Sequence, residues 1–150
     1  MLGQSTALNQ NKHNMRDISK LSRLFSNRLM KNGKKSLSDK FVKQILLELK
    51  LSKESPKGVL ILAVLNAGPL VCVKNVKSRG KTFQVPFPLT PKQQVSKGFD
   101  QILANTSFNS GGIAAELLNA STNRGKSIKS RRLIHQTARN NRTFVGYRWF

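Results

Sequence analysis

Beyond Glu116 the chain has no acidic residue, yet Arg124, Lys126, Lys129, Arg131, Arg132, Arg139, Arg142 and Arg148 all follow it. A surface so one-sided in sign repels itself unless a dense polyanion neutralises it. The fold must therefore turn these cations outward, towards a partner such as RNA. The whole chain shares the bias: 27 Lys+Arg stand against 6 Asp+Glu in 150 residues, a formal net charge of +21. A modest excess would fit a merely soluble surface, but a ratio above fourfold does not.

The length suits one domain with a real core, and a hydrophobic fraction of 38% suffices to build it. Cys72 is the lone cysteine, so no intrachain disulfide forms, and His13 and His135 are the only histidines. No cluster has metal-ligand spacing, and no metal or other cofactor is expected. The longest apolar run, Val59 to Leu65, is too short to cross a bilayer, and no Trp-bearing amphipathic helix suggests a membrane surface. Residues 1–17 lack a secretory apolar block and read as a flexible, weakly basic tail; a mitochondrial transit peptide is the alternative. Residues 18–150 read as a single domain.

Apolar residues at Leu21, Phe25 and Leu29 mark one helix face from Ile18 onward, with Lys20, Arg23 and Asn27 opposite. Asn32-Gly33 stops that helix. Ser36 restarts the chain as an N-cap with Asp39 three residues on, and Leu37, Phe41, Ile45 and Leu49 line the core. Ser55-Pro56 opens a third helix, apolar all round from Gly58 to Leu65, around which the others pack. From Val71 to Leu89 the period changes to two, with Phe83, Val85, Phe87 and Leu89 on one face and a turn at Ser78 to Lys81. Pro86 and Pro88 confine this pair to an edge. Lys74, Lys77, Arg79 and Lys81 make it a basic arm. Thr90-Pro91 opens a helix with Val95, Phe99, Ile102 and Leu103 inward. After a loop over Thr106 to Gly112 comes a short helix carrying Ile113, Leu117 and Leu118, which Gly125 ends. The fold class is mainly α: a bundle of about six helices with one protruding β-hairpin.

The final helix, about Ser127 to Asn141, places Leu133, Ile134, Thr137 and Ala138 on one side at 100° per residue. Arg131, Arg132, His135, Arg139 and Arg142 fall within an arc of about 100° on the other. A solvated charged face would normally interleave Glu or Asp. This one has none, so it reads as a phosphate-binding stripe.

Ala120 to Ser127 fits a loose phosphate-loop pattern with Ala in place of the first Gly, but the mechanism needs a preceding strand and a carboxylate for magnesium; Ile113 to Leu118 reads as helix, and no carboxylate follows the loop. His135 has no evident nucleophile to serve, and its arginine neighbours depress its pKa. Cys72 beside two valines reads as a small hydrophobe. Six scattered acids offer no catalytic pair, so the chain is not expected to be an enzyme or to have a small-molecule substrate. Tyr147, Arg148, Trp149 and Phe150 form an aromatic end that either packs on the core or offers a stacking platform to RNA.

Three blocks resemble the universal small-subunit ribosomal protein seven family of bacterial and organellar type. They are LMKNGKKSL (Leu29 to Leu37), SRGKTFQVP (Ser78 to Pro86), and the closing set His135, Ala138, Asn141, Phe144, Tyr147, Arg148 and Trp149. The likeness runs from about Ile18 to Trp149. The chain departs from the family's pattern in three places. Arg79 stands beside Gly80 where paired glycines are usual, Phe99 replaces a tryptophan, and Arg132-Leu133 replaces acidic residues before the histidine. The Lys/Asn-rich sequence and its end one residue past Trp149 resemble an organellar member more than a bacterial one, and a mitochondrial ribosome is expected, with a plastid or bacterial one as the alternative.

The resemblance implies a structural constituent of the small ribosomal subunit. As a primary binder of the 3′ major domain of small-subunit rRNA, it would organise assembly of the subunit head beside other head proteins. It implies rRNA contacts at Lys34, Lys35, Lys129, Arg131, Arg132, Arg139, Arg142 and Arg148. Lys74, Lys77, Arg79 and Lys81 would lie on an arm near exit-site tRNA and the mRNA exit path. His135, Tyr147 and Trp149 are the stacking candidates. A DNA-compacting protein is the rival reading from another class; it would share the charge but gain nothing from the arm or the aromatic end.

Overall fold

The computed structural model describes residues 21–52, 55–78 and 80–148. The expected N-terminal tail, Arg79, Trp149 and Phe150 lie outside the described residues. A first helix, α1, covers residues 21–29. It is followed by α2 (Lys35–Leu51), α3 (Pro56–Ala67), strands β1 (Val71–Ser78) and β2 (Lys81–Pro88), α4 (Pro91–Ala104), α5 (Ser110–Ser121), α6 (Lys126–Asn140) and a terminal 3₁₀ helix (Arg142–Tyr147). The expected helical bundle with one hairpin is what forms.

Phe25 and Leu29 bury the inner face of α1, and Phe25 stacks on Phe99 of α4 with centroids 5.1 Å apart. Asn32 and Gly33 both take positive φ, 52° and 72°, which ends the helix as expected. Helix α2 departs from its expected frame. It starts at Lys35, before Ser36, and has no side-chain cap. Asp39 instead accepts a hydrogen bond from the Ser26 hydroxyl of α1, while Ser38 donates to the Ser26 carbonyl. That polar joint turns α2 so that Ser38, Val42, Ile45 and Leu49 face inward, leaving Leu37 exposed.

Helix α3 begins at Pro56 after Ser55 and touches α2, α4, α5 and α6, the expected hub. Its inner face is Val59, Leu60, Ala63, Val64 and Ala67; Leu62 and Leu65 lie exposed. The strands pair antiparallel from Val71↔Pro88 to Ser78↔Lys81, and the turn between them contains Gly80 at φ 76°. They form a two-stranded sheet, so the prolines sit where an edge tolerates them. In α4, Gln93 accepts the backbone N–H of Thr90 at 3.1 Å, reinforcing the Thr90-Pro91 start.

Two boundaries near α5 move. The helix begins at Ser110, with Gly111 and Gly112 inside its first turn, so the preceding loop is shorter than Thr106 to Gly112. It ends at Ser121, and Gly125 serves as the N-cap residue of α6, not as the stop of α5. Gly125 has φ 98°, and a Cβ there would meet Glu116 Oε1 at 2.6 Å. Only glycine fits this corner.

Candidate nucleic-acid interface

Helix α6 packs with a different face from the one its arginines suggest. Ser127, Ile128 and Ala138 are buried, and Arg131, Ile134 and His135 are half-buried beside them. Leu133, expected inside, is 62% exposed. The inner arc is set by Ile128 and by the small residues Ser127 and Ala138, which allow close approach to the bundle.

Arg131 and His135 therefore leave the expected outer stripe. Arg131 Nη1 donates to the Asn66 carbonyl at the end of α3, at 2.5 Å. The Leu70 amide donates to His135 Nε2 at 3.1 Å, which requires that nitrogen to be unprotonated. Burial, and then the Arg131 charge, hold the imidazole below its ordinary pKa of 6.5. Both side chains tie α6 to the α3–β1 corner.

Lys129, Arg132 and Arg139 remain on the exposed side, with Arg142 exposed at the start of the 3₁₀ helix. Lys129, Arg132, Gln136 and Arg139 follow a three-four-three spacing, a single stripe about 15 Å long at 1.5 Å per residue. Helix α6 contacts β1, and His135 on its inner side meets Leu70 just before that strand. On the hairpin Lys74, Lys77 and Lys81 are all exposed, and Lys74 Nζ stands 5.1 Å from the Phe87 ring centre. Lys34 and Lys35 are exposed after the α1–α2 turn. Beside them Lys31 Nζ lies 4.0 Å above Phe108 of the α4–α5 loop. No sequence spacing announces that pair, because seventy-odd residues separate its members.

The acids explain why the cations stay unpaired. Among the described residues these are Asp39, Glu48, Asp100 and Glu116. Asp39 joins α1 to α2. Glu48 points its Oε2 to within 3.6 Å of where a Cβ would stand on Gly111, near the start of α5. Asp100 pairs with Arg28 at 3.2 Å and Lys97 at 3.7 Å, the only ion pairs among the described residues. Glu116 is 7% exposed and accepts the Ser127 amide at 2.8 Å and the Ser127 hydroxyl at 2.6 Å. Asp39 and Glu116 are engaged within the fold, Asp100 pairs with cations of α1 and α4, and none of the four forms an ion pair with the α6 stripe or the arm among the described residues. The α6 stripe and the arm keep their full charge.

Glu116 also answers the phosphate-loop pattern. Helix α5 precedes Ser127, where that mechanism needs a strand, and the start of α6 already holds a carboxylate. Among the described residues no group of three His, Cys, Asp or Glu could hold a metal, and no helix is long and apolar enough to cross a membrane.

The aromatic end packs on the hairpin. Tyr147 stacks on Phe83 at 4.7 Å and 8°, and Phe144 meets the same ring at 5.2 Å. Asn141 Nδ2 donates to Gln84 Oε1 at 3.3 Å, and Arg148 Nε donates to the Pro86 carbonyl at 2.6 Å. Thus the arm block Phe83 to Pro86 and the closing block Asn141 to Arg148 are two sides of one clamp. Tyr147 and His135 already have partners within the protein, and the third stacking candidate, Trp149, lies outside the described residues. Cys72 is half-buried.

The family model described as "Ribosomal protein S7p/S5e" matches residues 3–142. A relative from Thermomicrobium roseum named "Small ribosomal subunit protein uS7" is 36% identical over 137 residues, covering 87% of this chain and 88% of its own. Relatives of the same name from Afipia carboxidovorans and Petrotoga mobilis are 36% and 34% identical over 132 and 131 residues. Each covers 83% of this chain and 84% of its own.

Proposed function

The chain belongs to the ribosomal protein S7p/S5e family, and from that premise we propose that it is a structural, rRNA-binding component of the small ribosomal subunit. One observation carries the proposal. The exposed stripe Lys129, Arg132 and Arg139, continued by Arg142, faces solvent with no carboxylate near enough to pair among the described residues. Such a stripe meets successive phosphates of folded RNA and releases their condensed counterions. Lys34 and Lys35 supply a second contact from the α1–α2 turn, and Arg148 adds charge at the clamp. Arg131 acts by holding α6 on α3.

The finer reading follows the resemblance. The protein binds the 3′ major domain of small-subunit rRNA early and organises the subunit head with other head proteins. Its arm, with Lys74, Lys77, Arg79 and Lys81, reaches towards exit-site tRNA and the mRNA exit path. We place it in a mitochondrial ribosome on the Lys/Asn-rich composition, although the relatives above are bacterial. Competition binding tests the class. A transcript of the 3′ major domain should displace the protein from duplex DNA at equal nucleotide concentration. Equal competition by both would favour a DNA-compacting role. Shortening the arm across residues 77–81 should spare this binding.

A further inference from the structure

Of the described aromatic side chains Phe108, on the loop between α4 and α5, is the most exposed, at 55%. Its ring lies nearly parallel to that of Phe41, 9° apart with centroids 6.2 Å distant. Phe41 in turn packs against the core from the second turn of α2. A centroid distance of that size is an offset stack, so Phe41 orients the ring while covering only part of it. Lys31 Nζ lies 4.0 Å from the ring centre. An ammonium on a flexible four-carbon stem can leave the ring for a phosphate without any shift of the loop. Lys34 and Lys35 are exposed beside it, and none of the three lysines forms an ion pair among the described residues. Proteins take hold of unpaired RNA with this composition: bases stack on the aromatic face and phosphates meet the cations.

We propose that Phe108 is the stacking surface for one unpaired base of small-subunit rRNA, with Lys31, Lys34 and Lys35 taking the flanking phosphates. The proposal rests on the ribosomal reading above and adds specificity to it, because the α6 stripe meets phosphates whatever their sequence. A paired duplex keeps its base faces covered, so the ligand is a bulged or looped nucleotide. Two of the aromatic candidates named from the sequence are already engaged: Tyr147 stacks on Phe83, and His135 accepts the Leu70 amide. Phe108 keeps a free face where they do not. An acidic peptide would satisfy the lysines as well, but its carboxylates would meet the negative face of the ring. A nucleotide brings its own flat ring to Phe108 and its charge to the lysines.

The test measures binding of the full chain to a transcript of the 3′ major domain. Phe108→Ala should weaken it about tenfold, a loss of some 1.4 kcal/mol, with the salt slope unchanged because no phosphate contact is removed. Phe108→Leu, which keeps much of the apolar area, should still weaken it about threefold or more. Phe108→Trp should bind as the unaltered chain does or tighter, which separates loss of stacking from loss of packing on Phe41. Lys31→Ala should lower the log–log salt slope by about 0.7–0.9. In a second arm, photo-reactive benzoylphenylalanine replaces Phe108 in the cell of origin, and purified small subunits are irradiated. A cross-link to an unpaired rRNA nucleotide supports the proposal. The absence of any cross-link, or a cross-link to a protein or to a base-paired rRNA segment, overturns it. So does full affinity in Phe108→Leu or weakened affinity in Phe108→Trp, and each of these leaves the ribosomal reading standing. Failure of the unaltered chain to bind the transcript, or to sediment with small subunits, overturns both.

Discussion

Glu116 of α5 reaches across to Ser127 of α6 and accepts both its amide at 2.8 Å and its hydroxyl at 2.6 Å. The last acid in the chain thus supplies the anion that the start of its most basic helix needs. The carboxylate is 7% exposed, so it contributes nothing to neutralising the surface. One residue does two things: it fixes the angle of α6, and it leaves the stripe cationic.

Removing that anchor should be costly. Glu116→Ala leaves a buried amide and hydroxyl without their acceptor and should destabilise the fold by about 2–3 kcal/mol. Glu116→Gln, which keeps one acceptor oxygen, should cost about 1 kcal/mol. Urea unfolding of the two variants measures this directly. Equal losses would mean that a neutral acceptor oxygen cannot stand in for the carboxylate.

The arginines of α6 should separate into two classes. Arg131→Ala breaks the bond to the Asn66 carbonyl and should lower the unfolding midpoint. Arg132→Ala combined with Arg139→Ala should leave the midpoint nearly unchanged, within about 0.5 kcal/mol. The same pair should reduce the log–log salt slope of rRNA binding by about 1.4–1.8, at 0.7–0.9 per phosphate contact. Unfolding curves and salt titrations, run on all three proteins, distinguish the classes.

The division between these classes shows what the sequence could and could not reveal. The stop at Asn32-Gly33, the start at Ser55-Pro56 and the turn around Gly80 each follow from local backbone chemistry. All three appear where expected. The face of α6 was only partly legible: Ala138 and Ile134 turn inward as expected, but Leu133 is exposed, and Ser127 and Ile128 rotate the buried arc towards Arg131 and His135. The start of α2 moved because Asp39 found Ser26 on α1, thirteen residues away. Glu116 and the Phe83–Tyr147 stack are likewise long-range contacts. Spacing along the chain does not encode them. The cationic character of the site was plain from composition; which cations face outward depended on packing.

His135 should make stability depend on pH. Its folded pKa lies below 6.5 because burial, and then Arg131, disfavour the imidazolium. The unfolded chain therefore binds more protons below about pH 6.5, and stability is lost as pH falls through that value towards the folded pKa. Above it the contribution is fully present. His135→Gln should flatten the curve of stability against pH between 5 and 7, recorded by urea midpoints across that range. An unchanged slope would assign the dependence to another group.

The clamp at the hairpin base should show coupling. Phe83→Ala and Tyr147→Ala remove the same stacked pair, so their combined loss should fall short of the sum by about 0.5–1.5 kcal/mol. A double-mutant cycle on the unfolding free energy measures the shortfall. Strict additivity would mean that the two rings pack independently.

Footprinting on isolated small-subunit rRNA tests the central claim most directly. The account predicts backbone protection clustered in the 3′ major domain by the unaltered protein. It also predicts loss of part of that cluster with the Arg132→Ala, Arg139→Ala pair, whose fold remains intact. Protection that is absent, scattered over the whole molecule, or identical for both proteins would contradict it.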